Sequence, residues 1–530
     1  MSFKPNEHQQ ISFKDSFLNL SERTKKFVEN SWAKGFGEVV FPFINEERFA
    51  PLYSSDMASR PNTPVNGIIG ALMIKEMMGL PEDELLNSII CDVRFQYALH
   101  TTSFQEQPFS DRTFSRFRER LYNYTLETGR DLLHEEMESL AEKFAEYMGL
   151  NPSIKRMDSL MVASSSKKMS RLEILYTCLA NMIKILKKTQ GQSLPKELEH
   201  YLEDEDLNRV IYHRKSEEIG TRLQRVVNEA VTLLDLIGDD FLETSEYRLL
   251  KRVMDDQTIL GEDGTAVLRD KKEISTDSLQ NPSDPDATYR KKAGQGHIGY
   301  VGNIVETVDE NNGILISSYD YDDNRHSDSQ FCKEIIEKLG EQKNKTILIA
   351  DGAYASTDHE DLAAKNNMEL ITTALLSKTP NELQADFILD AQGKTLLQCP
   401  AGHKPYKSRY YDETENIRTS FNKKTCEDCP LRGQCGAKLQ KKSACVFISV
   451  KTITRAKSVK KMHTEEYRLL AKIRNGVEGI PSVMRRKYHV DKIPVRGLVR
   501  SKIWFSFKIG AINATRVIQK VMTKHKMAIA

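Results

Sequence analysis

The sequence predicts an α/β domain, in which helices flank a mixed sheet, joined to an all-α N-terminal domain. Three observations support this prediction. Residues 1–150 show apolar positions at helical spacing, whereas from about residue 287 the order of predicted elements becomes β-β-α-β-α-β, which is typical of a mixed sheet. A chain of 530 residues is also too long for one hydrophobic core. We expect a helical insertion and a small cysteine-rich insertion to interrupt the sheet domain.

The N-terminal domain, residues 1–150, is predicted to be helical. Thr63 and Pro64 suit the N-cap and the first position of one helix. Ser110 or Asp111 suits the cap of a later helix, which carries several arginines, among them Arg116 and Arg120. Two short helices, the second of them basic, fit a helix-turn-helix DNA reader as well as an ordinary helical bundle.

The sheet domain is predicted to begin with a strand at residues 151–166, which contains Asp158, and to resume over residues 285–380. Between these parts, residues 167–284 read as a helical insertion. Asn311 to Gly313 form the predicted turn of a hairpin. Residues 346–350 are an apolar run without polar alternation, as expected for a strand buried on both faces.

Asp351 follows that buried strand directly, where an unpaired carboxylate would be costly. Sites in α/β sheets form beyond the carboxyl ends of the strands, so we expect Asp158 to lie beside Asp351. Divalent ions would relieve the repulsion between them, and two ions can promote phosphoryl transfer. Glu478, close to Arg474 and Arg485, is the candidate third carboxylate, although a simple ion pair within a helix also explains this spacing.

The region of residues 381–450 holds four cysteines with the spacing C-x26-C-x2-C-x5-C, a pattern typical of a structural Zn²⁺ site. They are Cys399, Cys426, Cys429 and Cys435. His403 and Cys445 are alternative ligands, and chance placement of the thiols is the competing interpretation. The remaining three cysteines, Cys91, Cys178 and Cys332, stand in apolar helical contexts and are expected to pack in cores.

The C-terminal part of the sheet domain, residues 451–530, is strongly basic. It has 20 Lys and Arg against 4 Asp and Glu, while the whole chain nets only +2. This asymmetry suggests a polyanionic partner, nucleic acid first, although solvated helix faces explain it equally well. The candidate DNA-binding residues here are Arg474, Arg485, Arg486, Lys487, Arg496 and Arg500. The aromatic residues Trp504, Phe505 and Phe507 are expected to be buried.

The composition argues against a membrane protein. No apolar run approaches the roughly 20 residues of a membrane helix, and the first residues lack an apolar signal core. We therefore expect an intracellular protein with reduced cysteines.

Three segments resemble the signature regions of DDE transposases encoded by bacterial insertion sequences. They are RMDSLMV around Asp158, ILIADGAYAS around Asp351 and RNGVEGIPSVMRRKY around Glu478. The segments RPNTPVNGIIGALMIKEMMGLPEDELL and FSDRTFSRFRERL resemble the N-terminal domain of InsH-type transposases. GAINATRV, which contains Asn513, resembles the closing helix of the catalytic domain.

The resemblance implies an RNase H-like catalytic domain in which Asp158, Asp351 and Glu478 bind Mg²⁺ or Mn²⁺. Relatives carry Tyr-x2-Arg-x3-Glu-x6-Lys around the glutamate, whereas this chain has Ala471 at the tyrosine position and Arg485 at the lysine position. The implied activity is cleavage of DNA at transposon ends and strand transfer to target DNA. The implied partners are terminal inverted repeats and target DNA, bound by a homodimer in the bacterial cytoplasm, associated with the nucleoid.

Two alternatives follow from the same residues. One is a metal-dependent DNA nuclease without strand transfer. The other is a catalytically inactive, zinc-containing DNA-binding protein.

Overall fold

The structure is a computed structural model that describes residues 1–6, 16–56, 58–101, 109–190, 194–212, 218–261, 265–292, 294–372, 379–476, 479–491 and 493–529. These residues form two compact units. The first comprises Met1–Leu150, Ser159–Ser327 and Pro481–Ala530, and the second comprises Asn151–Asp158 and Asp328–Ile480.

The elements are numbered in chain order. The α-helices are α1 (Glu22–Glu29), α2 (Trp32–Gly35), α3 (Phe41–Phe43), α4 (Val65–Met78), α5 (Glu82–Cys91), α6 (Val93–Ala98), α7 (Asp111–Thr128), α8 (Leu132–Met148), α9 (Arg171–Gln190), α10 (Asp206–Ile211), α11 (Ile219–Leu236), α12 (Ser245–Gln257), α13 (Asp328–Leu339), α14 (Thr357–Lys365), α15 (Lys423–Glu427), α16 (Arg432–Cys435), α17 (Val450–Met462), α18 (Glu465–Asn475), α19 (Gly479–Tyr488) and α20 (Leu498–Ile529). The strands are β1 (Ile154–Ala163), β2 (Thr258–Leu260), β3 (Ala266–Leu268), β4 (Thr288–Lys292), β5 (Gln295–Asp309), β6 (Gly313–Asp323), β7 (Thr346–Ala350), β8 (Met368–Thr372), β9 (Ile388–Leu389), β10 (Leu396–Gln398), β11 (Lys407–Tyr411), β12 (Asn416–Asn422), β13 (Lys438–Leu439) and β14 (Ser443–Ser449).

The N-terminal part of the first unit is helical, as predicted. Helix α4 begins at Val65, one residue later than expected, so that Pro64 occupies the cap position. It ends at Gly79, whose left-handed backbone (φ 69°) stops the helix at low cost. Helix α7 begins after Ser110, which forms a capping box with Thr113.

The insertion in the first unit is built from α9 to α12 around a core of its own. Its centre is made of Leu175, Leu179, Ile183, Leu233 and Leu250, all at most 4% exposed. The short hairpin of β2 and β3 follows the helices. Helix α20 is the long core helix of this unit and buries Phe505 and Phe507, whereas Trp504 is only partly buried.

The first unit also contains the antiparallel strands β4, β5 and β6, and β6 pairs with β5 in the predicted hairpin. The second half of β1 lies beside β5. At this contact Gly299 adopts a φ of 145° and meets the backbone of Val162 so closely that a Cβ atom would collide with it. Glycine at this position therefore allows β1 and β5 to approach each other.

In the second unit, the first half of β1 pairs in parallel with β7, and β7 pairs in parallel with β8. The strand order is β4-β5-β1-β7-β8, with β6 also paired to β5. The predicted mixed sheet flanked by helices is confirmed. The buried strand predicted at residues 346–350 coincides with β7, whose residues are all buried except the partly exposed Ile347.

The cysteine-containing part of the second unit has its own four-stranded antiparallel sheet of order β11-β12-β14-β13. The inner face of this sheet packs on a core that includes Ile417, Phe421, Val446 and Ile448. The predicted domain boundaries remain predictions.

The expectation that three cysteines pack in cores is correct for two of them. Cys178 and Cys332 are at most 1% exposed, and burial raises the pKa of each thiol to about 12. Cys91 is exposed, because it is the last residue of α5 and faces away from the core side chains Leu85 and Ile89. None of the helices in the described ranges is long and apolar enough to cross a membrane.

Candidate active site

Two carboxylates follow matched positions of adjacent parallel strands in the second unit. The register pairs Arg156 of β1 with Ile349 of β7. Asp158 and Asp351 each lie two residues beyond this pair. Because side chains alternate along a strand with a period of two, this register directs both carboxylates to one face of the sheet.

Arg474 lies between these carboxylates. Its Nη2 atom is 3.7 Å from Oδ2 of Asp158 and 3.7 Å from Oδ2 of Asp351. The residue is buried, with 8% of its surface exposed. A single guanidinium therefore compensates two negative charges that would otherwise repel each other.

Helix α18 brings Arg474 to this position. Thr464 caps the helix by accepting a hydrogen bond from the backbone N–H of Tyr467. Tyr467 and Leu470 then pack against Ile349 of β7 and Ile371 of β8. Because Arg474 follows Leu470 by four residues, it extends from the same side of the helix toward the sheet.

The two carboxylates differ in their access to solvent. The Asp351 side chain is 49% exposed and that of Asp158 is 18% exposed. Asp351 also caps the short 3₁₀ helix Gly352–Tyr354, because its Oδ1 atom accepts a hydrogen bond from the N–H of Gly352. One oxygen of Asp351 is therefore fixed by the backbone, while the other faces Arg474.

Arg156 is a site residue that sequence analysis did not identify. Its Nη1 atom donates a hydrogen bond of 2.6 Å to the carbonyl of Ile473 in the last turn of α18. Only 4% of Arg156 is exposed. It fixes the end of the helix that carries Arg474. A signal was present, since Arg156 lies two residues before Asp158 and so shares its face of β1.

Lys155 projects from the opposite face of β1. It is 6% exposed, and burial lowers the pKa of its amine to about 8. Lys155 directly precedes Arg156 in β1, so it is close to the site in the sequence. Its amine nevertheless lies on the other side of the sheet.

The third predicted carboxylate, Glu478, lies outside the described residues. Within the described ranges, no three His, Cys, Asp or Glu side chains are grouped so that they could hold a metal ion. Asp158 and Asp351 nevertheless have the donor type that suits Mg²⁺, which is commonly bound by one or two carboxylates together with water and substrate phosphates.

Most of the predicted DNA-binding residues lie at the surface. Arg485 is 3.2 Å from Asp491, between Nε and Oδ1. In the first unit, the Arg120 guanidinium stacks 4.6 Å from the centre of the Tyr53 ring. The exposed members of the set are Arg116, Arg485, Arg486, Lys487, Arg496 and Arg500. Arg474 differs from these residues, since it is buried against the two carboxylates.

The four predicted zinc ligands line one small cavity of about 20 Å³, with His403 and apolar side chains completing its wall. Burial and the neighbouring thiols raise the pKa values of Cys426 and Cys435. Cys445 is not among the lining residues. It alternates with Val446, which does line the cavity, so Cys445 belongs to the opposite face of β14.

Comparison with known families identifies two segments of the chain. A family model described as Transposase domain (DUF772) matches residues 23–120, and one described as Transposase DDE domain matches residues 398–518. Both matched models describe transposase domains, so the chain is similar to transposases over these two segments. No match was found among curated proteins or among solved structures.

The two matched ranges cover only part of the chain. The DDE range begins one residue before Cys399 and contains all four cysteines, Arg474 and Glu478. Asp158 and Asp351 lie outside both ranges. The assignment of these two aspartates to the site therefore depends on the strand register and on their contacts with Arg474.

Proposed function

We propose that this protein is a DNA transposase, which binds transposon ends, cleaves phosphodiester bonds there and transfers the cut strands to target DNA. The observation that carries the proposal is the placement of Asp158 in β1 and of Asp351 directly after the neighbouring parallel strand β7, each 3.7 Å from the same guanidinium nitrogen of Arg474. Two like charges held close together, one of them half exposed, destabilise the fold. Stability alone therefore does not explain this arrangement.

Within this proposal, Asp158, Asp351 and Glu478 hold Mg²⁺ or Mn²⁺. Such ions would activate the attacking oxygen and stabilise the negative charge on the leaving oxygen. The Asp351 side chain is 49% exposed, so an incoming ligand can reach it, and the two aspartates carry one more charge than Arg474 compensates. The donor set thus suits magnesium.

Arg474 and Arg156 have positioning roles in this proposal. Arg474 keeps the two aspartates together before DNA binds, since its charge compensates both of them. A guanidinium also forms bidentate contacts with phosphate, so Arg474 can hold a phosphate once other cations neutralise the aspartates. Arg156 fixes the carbonyl of Ile473 and thereby the position of Arg474.

The catalytic domain is proposed to be RNase H-like. The strand order supports this part of the proposal. Strand β1 lies between the hairpin of β5 and β6 on one side and the parallel strands β7 and β8 on the other. The two aspartates come from the central strand and from the strand next to it.

DNA binding is assigned to the exposed arginines and lysine of α7, α19 and the start of α20. Phosphate contacts of this kind give affinity without sequence information. We expect DNA affinity to fall steeply with salt concentration. Joining of paired transposon ends further suggests a homodimer on DNA.

We also propose that Cys399, Cys426, Cys429 and Cys435 hold a structural Zn²⁺. The supporting observation is that all four thiols line one cavity of about 20 Å³, although no three of these thiols, all of them within the described residues, are grouped as metal ligands in this structure. The ion would contribute folding energy to a part of the chain that has a small core.

A cleavage assay tests the central proposal. The substrate is duplex DNA carrying the inverted repeats that flank the coding frame, incubated with protein and Mg²⁺ and a second, circular target DNA. Asp158→Asn, Asp351→Asn and Glu478→Gln should each reduce cleavage by at least about 10³-fold while end binding persists. The matched control is Asp361→Asn, an exposed acid on α14 that should leave activity unchanged.

The products separate the three candidate functions. Strand-transfer product supports the transposase, whereas hydrolysis alone supports a nuclease. End binding without any cleavage indicates an inactive DNA-binding protein. An Asp351→Asn variant with normal cleavage refutes the proposed site.

A further inference from the structure

The outer face of the small four-stranded sheet combines aromatic and basic side chains. The register places Arg409 of β11, Arg418 of β12 and Phe447 of β14 directly opposite one another. The next row contains Lys407 and, across β12 and β14, Lys438. We call this set, together with Tyr411, the basic-aromatic face. Its members are Lys407, Arg409, Tyr411, Arg418, Lys438 and Phe447.

This face is open to solvent, unlike the other side of the same sheet. Phe447 is 61% exposed, although a large apolar side chain is normally buried. Its neighbours in β14, Val446 and Ile448, are at most 5% exposed and belong to the core. The alternation along β14 therefore leaves the Phe447 ring on the solvent-exposed face of the sheet.

The aromatic rings on this face are close together and flanked by cations. The ring centres of Phe447 and Tyr411 are 6.3 Å apart and nearly perpendicular. The guanidinium of Arg409 lies 5.2 Å from the centre of the Tyr411 ring. Arg409 and Arg418 are both exposed. The face thus offers flat apolar surfaces beside fixed positive charges.

The charge on this face has one sign. Strands β11 to β14 contain no Asp or Glu. Between these strands, acidic residues occur in the turn that follows β11 and at the end of α15, and two of those in the turn are already paired. Asp412 contacts Lys394 at 3.0 Å, and Glu415 contacts Lys451 at 2.9 Å. A partner that covers the face must therefore be negatively charged.

We propose that the basic-aromatic face binds single-stranded DNA, with unpaired bases stacked on Phe447 and Tyr411 and phosphates held by the arginines and lysines. Only unpaired bases expose their flat surfaces, and four-stranded sheets with exposed aromatics bind two or three nucleotides in this way. The two lysines favour a nucleic acid over a protein partner, because lysine is depleted in protein interfaces, whereas aromatic residues and arginine occur in both kinds of interface. The face lies opposite the thiol cavity, and none of its members lines that cavity.

The choice of DNA as the strand rests on the proposed transposase function, in which cleavage leaves DNA strand ends that can unpair. Binding by this face requires no catalysis, however. It is therefore measured on the full-length protein without added divalent ions, using a fluorescent oligothymidine of about 20 nucleotides and a hairpin duplex of equal length. Fluorescence anisotropy gives the dissociation constants.

Three substitutions of one residue separate stacking from simple apolar contact. Phe447→Ala should weaken binding of the oligothymidine by about tenfold, since a stacked base contributes roughly 5- to 100-fold in affinity. Phe447→Leu should lose as much affinity for the oligothymidine, because leucine lacks the ring. Phe447→Tyr should bind it within about twofold of the wild-type affinity. Ile388→Ala, at another exposed apolar position of the second unit, is the matched control and should have no effect.

The arginines are tested by salt dependence. Arg409→Ala and Arg418→Ala should each lower the slope of log affinity against log salt by about 0.7, the value for one phosphate contact on a single strand. The melting curves of the Phe447, Arg409 and Arg418 variants should match that of the wild type, because all three side chains are exposed. Unchanged melting excludes misfolding as the cause of weaker binding.

Several results would overturn the proposal. They are wild-type affinity in Phe447→Ala, retained affinity in Phe447→Leu, an equal loss on the duplex probe, or a tenfold preference for the RNA of the same sequence. If cleavage of transposon ends fails while Phe447 still governs oligothymidine binding, the proposed function is at fault and this inference stands. If cleavage succeeds and Phe447→Ala binds normally, this inference alone fails.

Discussion

The contact between Arg474 and the two aspartates gives the sharpest prediction. Arg474→Met removes the cation and retains a side chain of similar length. In the wild type without divalent ions, Arg474 compensates Asp158 and Asp351 at 3.7 Å each. In the variant, these two carboxylates face each other without this charge, and we expect a less stable second unit.

The magnitude follows from distance and exposure. Two unit charges about 4 Å apart attract by about 4 kcal/mol at an effective dielectric constant of about 20. Asp351 is 49% exposed, so solvent screening reduces its pair with Arg474 to about 0–1 kcal/mol. Asp158 is 18% exposed, and loss of its partner costs about 1–2 kcal/mol. The variant should therefore lose about 1–3 kcal/mol.

Thermal unfolding with and without millimolar Mg²⁺ measures this effect. Each kcal/mol corresponds to about 2–4 °C in Tm for a unit of this size. If the carboxylates bind Mg²⁺, the ion should restore most of the lost stability, so that Mg²⁺ raises the Tm of Arg474→Met more than that of the wild type. Arg468→Met, an exposed position on the same helix, should show neither change.

Two outcomes would refute this reasoning. One is an Arg474→Met variant with wild-type stability in the absence of Mg²⁺. The other is a Mg²⁺-induced rise in Tm that is the same in the variant and the wild type, which would show that Mg²⁺ binding is not coupled to the contact between Arg474 and the aspartates.

Three other predictions concern stability and metal content. Burial lowers the pKa of the Lys155 amine to about 8 from the usual 10.5, so its positive charge destabilises the folded state below pH 8. Lys155→Met should therefore raise the free energy of unfolding by about 1–3 kcal/mol at pH 7. That gain should vanish as the pH rises through 8 toward 10.5 in urea titrations. Asn513→Leu should cost about 2–4 kcal/mol in the same assay, because the buried Asn513 amide bonds both the N–H and the carbonyl of Ile316. Purified protein should contain about one zinc per chain by elemental analysis, and Cys426→Ser should lower that content and the Tm.

Each of these predictions has a contrary result. A Lys155→Met gain that is independent of pH would show that the amine is not charged in a buried position. Unaltered stability of Asn513→Leu would mean that Ile316 finds other partners. Zinc-free protein whose melting is indifferent to chelators would remove the zinc proposal.

Sequence patterns were reliable where local physics dominates. The strand at residues 346–350 and the hairpin with its turn at Asn311 to Gly313 occur where they were predicted. Each signal lies within a few residues of the element that it specifies. Buried runs, turn residues and N-caps act over that range, so no distant contact is needed to read them.

Local patterns failed where burial depends on distant parts of the chain. Cys91 was expected in a core and is exposed, because the side of α5 that packs is set by neighbours far away in sequence. Arg156 was overlooked. Its place on the same face of β1 as Asp158 could be read from the sequence, but the helix end that it contacts lies more than 300 residues later.

By itself, the sequence determined which residue types could perform chemistry: aspartates at strand ends, an arginine-bearing helix, four spaced thiols and the motifs of a transposase. Only the tertiary structure decided that Asp158 and Asp351 share one guanidinium, and that Phe447 is exposed among arginines. The physical reason is register. Which residues of two strands stand opposite each other depends on pairing across the whole sheet, and shifting one strand by a single residue would turn every side chain to the other face.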